Sequence, residues 1–166
     1  MVEVKIEAVR VSLMTTTQVI ILKDVSEERF LPIFIAKPEG DAITVHLRED
    51  LPGRPMSHDL ALQMIQSLEA QIVRIQVVAL RNDHYFAEIV IEDKGHEIVL
   101  DARVSDAIAL AVRAHCPMFV AEDIMIEAGV VRNDDEDDES SNMTGDQFGV
   151  FGDFLDSLDL DLDDDK

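Results

Sequence analysis

Positive charge is what this sequence has least of. Its 166 residues hold 14 lysines and arginines against 35 aspartates and glutamates, a formal charge of −21. Such a field repels nucleic acid and anionic membrane at long range, so a role on either needs a local cluster of cations that overcomes it. Tryptophan is absent and tyrosine occurs once, which leaves no aromatic platform for stacking bases. Cysteine also occurs once, as Cys116. That rules out an internal disulfide and fits a reducing, cytoplasmic setting. No apolar run approaches the roughly 18–20 residues that cross a bilayer. The opening MVEVKIEAVRV alternates charged and apolar side chains, the pattern of a strand and not of a signal peptide.

Hydrophobic residues make up 47% of the chain, enough for one core of ordinary size. The charge is unevenly placed. Residues 1–130 carry 12 cationic and 21 anionic side chains, whereas residues 131–166 carry 2 and 14. The acidic part begins with RNDDEDDESSN, which offers nothing to a core and reads as a solvated linker. The expected organisation is a domain over residues 1–130 and an acidic, mostly disordered tail over 131–166. Within the tail, DQFGVFGDFLDSL sets Phe148, Phe151, Leu155 and Leu158 at helical spacing. A short helix at 148–158 could dock on a protein partner or on its own domain. Gly149 and Gly152 each weaken it by about 1 kcal/mol.

Apolar alternation predicts strands over residues 2–12, 16–24 and 29–36, with a change of phase near Ala8 and Val9 that a β-bulge explains. A helix is predicted from Glu39 to Arg48. A second covers SHDLALQMIQSLEA, where Leu60, Met64, Ile65 and Leu68 form one stripe. Three more strands, at 71–80, 84–93 and 96–103, are separated by Asn82-Asp83 and Lys94-Gly95, which suit antiparallel hairpins. The third helix, SDAIALAVRAH, has almost no polar face and so requires burial on two sides. MFVA closes the series as a short strand. A displacement of 65 residues superposes IFIAKPEGDAITVHLR on IVLDARVSDAIALAVR, so the predicted order is three strands and a helix, twice over. That is the mark of an internal duplication.

The stretch GRPMSHDL, at 53–60, opens the second helix. Pro55 stiffens the turn, Ser57 suits an N-cap, and Asp59 lies where a negative charge meets the positive end of the helix dipole. Neither reason covers Arg54 or His58. A neutral imidazole at His58 could be a general base or a metal ligand, against the plainer reading of a packed side chain. His58 and Asp59 point about 100° apart on a helix, so they make no joint metal clamp. Further on, Asp101 and Arg103 share a strand face, and Asp106 and Arg113 share a helix face. Buried Asp–Arg pairs are the plain account of either couple. His46, His84, His96 and His115 are scattered and read as surface or packing residues, and Cys116 as a core thiol.

These residues resemble the bifunctional nuclease family. RPMSHDL at 54–60, DARVSDAIALAVR at 101–113 and PMFVAED at 117–123 stand in the family's order, and the likeness covers about residues 3–130. The family commonly shows Leu-Thr where this chain has Met56-Ser57, proline where Val104 stands and glycine where Ala36 stands. The resemblance implies an α/β (α+β) domain with a mixed, largely antiparallel sheet and packed helices, often dimeric. It also implies nuclease activity on DNA and RNA.

On that reading the chain hydrolyses phosphodiester bonds with little sequence preference, and His58, Asp59, Asp101 and Asp106 are the candidate catalytic residues. Asp59, Asp101 and Asp106 would hold one or two divalent cations such as Mg or Mn. Arg54, Arg103 and Arg113 would grip phosphate oxygens in bidentate geometry. The starts of the second and third helices must then converge, and the acidic tail would compete with nucleic acid for the arginines. A second reading makes the chain a non-enzymatic dimeric regulatory or adaptor module. There the arginines and aspartates brace the fold, and the 148–158 segment recruits a protein partner. This reading explains the negative charge more simply, since no basic stripe or reading motif speaks for direct nucleic-acid binding.

Overall fold

Alternating burial along β1 (Val2–Val11) sets the register of the sheet: Val2 and Val4 are buried while Glu3 and Lys5 face solvent. The computed structural model describes residues 1–11, 17–50 and 52–131; the acidic segment, with the helix expected at 148–158, lies outside the described residues. Pairing of β1 with β2 (Thr17–Asp24) slips by one residue between Ile6 and Ala8, the bulge that the change of apolar phase predicts. β3 (Arg29–Ala36) completes a meander. Ile20, Leu22, Leu31 and Ile33 enter the main core, while Val19, Ile21 and Phe30 form a smaller one. The turn between β2 and β3 is fixed by the buried Asp24, which accepts from the Ser26 amide at 2.8 Å and from Arg29 Nε and Nη2 at 3.0 and 2.7 Å.

α1 (Lys37–Leu47) follows β3 directly, with Pro38 in its first turn, where a missing amide costs nothing. α2 (Ser57–Ser67) leads into a second meander of β4 (Gln71–Arg81), β5 (His84–Asp93) and β6 (His96–Arg103). Its hairpin dipeptides both adopt positive φ, 50° and 61° at Asn82 and Asp83, 51° and 83° at Lys94 and Gly95. That geometry matches the twist of the strands it joins. α3 (Val104–Ala114), β7 (Met118–Val120), α4 (Glu122–Ala128) and β8 (Val130–Val131) complete the described chain.

The strand order is β6-β5-β4-β7-β1-β2-β3-β8, antiparallel at every pairing but β4–β7. The fold is α+β with a mixed, mostly antiparallel sheet. β7 divides it. Met118 pairs with Val4 on one side and Ile75 on the other, and Val120 with Val2 and Val77. The two β-β-β-α runs thus flank one short strand, in the repeated order that the 65-residue displacement predicts, and α1 packs against α3. As its missing polar face requires, α3 is covered by α1 and α2 as well as by β4, β5 and β6. Ile108, fully buried there, contributes about 1.5–3 kcal/mol to the core.

Three features depart from the sequence reading. α2 packs mainly on α3 and not on the sheet, so Ala61, Leu62 and Ile65 reach the core while Leu60, Met64 and Leu68 stay 48%, 58% and 73% exposed. α3 runs one residue earlier than the SDAIALAVRAH pattern, Val104–Ala114, because His115 turns into the left-handed region at φ 51°. α4 and β8 were not anticipated, because Ile124, Met125 and Ile126 are consecutive and follow neither period. Burial of Ile124 and Met125 and the 2.6 Å ion pair of Glu122 with Arg29 fix that helix. No helix among the described residues is long and apolar enough to cross a membrane.

Candidate active site

The first turns of α2 and α3 meet. His58, in the first turn of α2, places Nε2 3.1 Å from Asp106 Oδ1, in the first turn of α3. Arg103, the residue before α3, holds the same carboxylate side-on, Nε to Oδ2 at 2.7 Å and Nη2 to Oδ1 at 3.1 Å. Its Nη1 reaches across to Glu39 Oε1 in α1 at 3.0 Å. Three helices therefore supply one cluster of imidazole, guanidinium and two carboxylates. A guanidinium has five N–H donors, and three are used here, so one on each terminal nitrogen of Arg103 remains. The Arg103 side chain is 66% exposed.

A second arrangement lies beneath. Asp59 Oδ2 accepts the Met56 amide at 2.7 Å, and Oδ1 accepts Arg113 Nε at 2.5 Å. Arg113, its side chain 2% exposed, also donates Nη1 to Ala109 O at 2.8 Å and Nη2 to Ala42 O at 3.0 Å. One guanidinium thus ties α1, α2 and α3 together. The helix start is built differently from the expected Ser57 cap: the capping position is Met56, and Asp59 reaches back to its amide.

These bonds set the candidate residues apart. The Arg113 guanidinium is buried and committed to protein acceptors. Asp59 already accepts one donor on each carboxylate oxygen. Asp101 is exposed on β6 opposite Glu88 and has no bond to the cluster. Asp59, Asp101 and Asp106 therefore do not fit a divalent cation, and no group of three His, Cys, Asp or Glu among the described residues could hold one. Arg54 is exposed just before α2, with no ion pair or hydrogen bond among the described residues. The Asp–Arg pairing also crosses between elements: Asp106 takes Arg103, and Arg113 takes Asp59.

Burial alone would raise the Asp106 and Asp59 carboxyls. Hydrogen bonds and charge from Arg103 and His58 outweigh it at Asp106, and the Met56 amide and Arg113 do so at Asp59, so both lie below the ordinary carboxylate value. A depressed folded pKa gives stability that is present above the unfolded value and lost as pH falls through the folded one. Melting followed by circular dichroism should hold its midpoint from neutrality down to about pH 4 as far as these groups are concerned, then fall steeply below it. A midpoint unchanged at pH 3 would show that neither pair contributes.

A cleft of about 710 Å³ opens elsewhere, at the C-terminal ends of α1 and α3, lined by His46, His115, Cys116, Glu49 and Met118 among others. The two rings lie 6.1 Å apart. Burial, then the Arg113 charge, pushes His46 below its usual range, and burial pushes the Cys116 thiol up.

The bifunctional nuclease domain family matches residues 20–133. Two uncharacterized proteins of Mycobacterium tuberculosis, from strains CDC 1551 / Oshkosh and ATCC 25618 / H37Rv, are each 30% identical over 157 residues, 94% of this chain and 94% of their own. The chain belongs to the bifunctional nuclease domain family. The part of the bifunctional nuclease domain matched includes His58, Arg103 and Asp106, and also Glu39, which the sequence reading did not single out. An acidic residue in a first helical turn already has a dipole explanation, and only the packing of α1 on α3 shows that Glu39 holds Arg103. The match to the mycobacterial relatives leaves about ten residues of this chain outside it, so it runs beyond the family's matched region and includes Phe148, Phe151 and Leu155.

Proposed function

We propose that the chain is a nuclease that hydrolyses phosphodiester bonds of DNA and/or RNA with little sequence preference, at the surface where α2 and α3 begin. The observation that carries this reading is the His58–Asp106–Arg103 cluster. The ionised Asp106 accepts the Nε2 proton of His58, which leaves Nδ1 to take a proton from an attacking water. The two remaining donors of Arg103 grip two phosphate oxygens and meet the charge that builds on them as water adds; the P–O bond to the leaving oxygen then breaks, and the proton taken by His58 passes to that oxygen. The starts of two helices add positive potential at the same place. Arg54, exposed and without an ion pair among the described residues, extends the grip along the backbone. Recognition through phosphate alone fits the absence of base-reading groups.

Binding of a fluorescein-labelled oligonucleotide tests the phosphate contact. Arg103→Met should weaken it by about tenfold and reduce the salt slope of log Kd by about one. An unchanged slope would remove Arg103 from the interface. The alternative, a dimeric regulatory or adaptor module, is favoured by β6, an edge strand that exposes Ile98, Val99 and Leu100 in succession. Such an edge is a template for pairing with another chain. Cleavage that survives purification and disappears with His58 separates the two readings.

A further inference from the structure

We infer that the C-terminal segment from Phe148 to Leu158 docks on the exposed face of α2. This goes beyond the nuclease reading and does not depend on it. Leu60, Met64 and Leu68 follow one another at four-residue spacing along that face, and all three are exposed. Around them stand Ser57, Gln63, Gln66 and Ser67, also exposed. No charged residue interrupts the face, in a chain that is 30% charged. A neutral apolar strip of this kind is a binding surface for an amphipathic helix.

The occupant is chosen by size, reach and charge. Three side chains over about 12 Å of helix fall well short of the roughly 1,200 Å² that a stable bimolecular interface needs, which argues against a second copy. A tethered segment needs far less, because a short flexible tether gives an effective concentration on the order of millimolar. Residues 132–147 separate β8 from Phe148, a span that reaches roughly 50 Å when extended. A domain of this size has a radius of gyration of only about 14 Å, so the segment can reach any face. Phe148, Phe151, Leu155 and Leu158 present the matching apolar spacing, with Asp153 and Asp156 between them. Arg54, exposed and without an ion pair among the described residues, offers these acids a cation beside the start of α2. The match to the mycobacterial relatives runs through Phe148, Phe151 and Leu155.

The test uses the full chain labelled at the methionine ε-methyl groups. Changing Phe151→Ser together with Leu155→Ser should move the Met64 methyl resonance to the position of a solvent-exposed methionine and leave the buried Met125 unmoved. The shift should be the same at low and high protein concentration. In the reciprocal experiment, Leu60→Gln with Leu68→Gln should speed proteolysis within 148–158 several-fold. A Met64 resonance indifferent to the tail substitutions overturns the inference. So does a Met64 shift that follows protein concentration in both chains, since a second copy would then occupy the face.

Discussion

Arg113→Ala is expected to lower the free energy of unfolding by about 3–5 kcal/mol, the range for breaking a buried ion pair from one side. The guanidinium satisfies a carboxylate oxygen of Asp59 and two buried carbonyls, those of Ala42 and Ala109. Losing that partner costs the carboxylate about 1–3 kcal/mol, while the two helix carbonyls keep their intrahelical amides and lose only a second donor. Asp59 keeps the Met56 amide and some access to water, and the rest of the loss is the packing of the buried arginine side chain. Arg113→Lys should recover little, because a single ammonium cannot reach three acceptors on three elements. The double change Arg113→Met with Asp59→Leu should be milder than the sum of its parts, since it strands no charge. Urea midpoints of wild type, Arg113→Ala, Arg113→Lys, the double variant and its two single parents decide it. Against a typical total of about 5–15 kcal/mol, wild-type stability in Arg113→Ala would refute the clamp.

That clamp also shows where sequence reasoning stops. The strands, the hairpin dipeptides, the bulge in β1 and the doubled β-β-β-α order are local signals, and they appear in the structure with boundaries shifted by a residue or two. Asp59 and Arg113, by contrast, are 54 positions apart. Their chemistry alone does not say which arginine meets which aspartate. Helical spacing put Asp106 with Arg113, and strand alternation put Asp101 with Arg103. Both pairings obey local geometry. The packing of α2 across α3 overrides them: the first turns of the two helices meet, and the Arg113 side chain reaches back past Ala109 to Asp59.

The same crossing explains why the apolar stripe of α2 misled. Periodicity says that Leu60, Met64, Ile65 and Leu68 lie on neighbouring helical positions. It does not say how wide the neighbour is. Because α2 rests mainly on a single helix, Ile65 is covered while the other three remain outside. The convergence of the two helix starts could be framed from the sequence as a requirement, because His58 had no local explanation. Glu39 could not, because it had one.

His58→Ala, in protein shown to be folded, is expected to reduce kcat/KM for oligonucleotide cleavage by about 10²–10⁴-fold, the usual contribution of a positioned general base. Asp106→Asn should also be severely impaired, for two reasons that can be separated. An amide in place of the carboxylate no longer fixes the imidazole tautomer that leaves Nδ1 free. It also loses the charge that holds Arg103 side-on, so KM should rise as kcat falls. Arg103→Met removes only the second effect and should raise KM and, through the lost contact to the developing charge, lower kcat as well. Asp101→Asn is the informative control, because sequence alone placed it beside Arg103 while the structure leaves it exposed and apart from the cluster. Its cleavage should match wild type within about twofold, an energy well under 1 kcal/mol. Wild-type cleavage by folded His58→Ala would mean that the activity comes from elsewhere. Equal losses in Asp101→Asn and Asp106→Asn would mean that the reacting phosphate sits over the strand face and not at the helix starts.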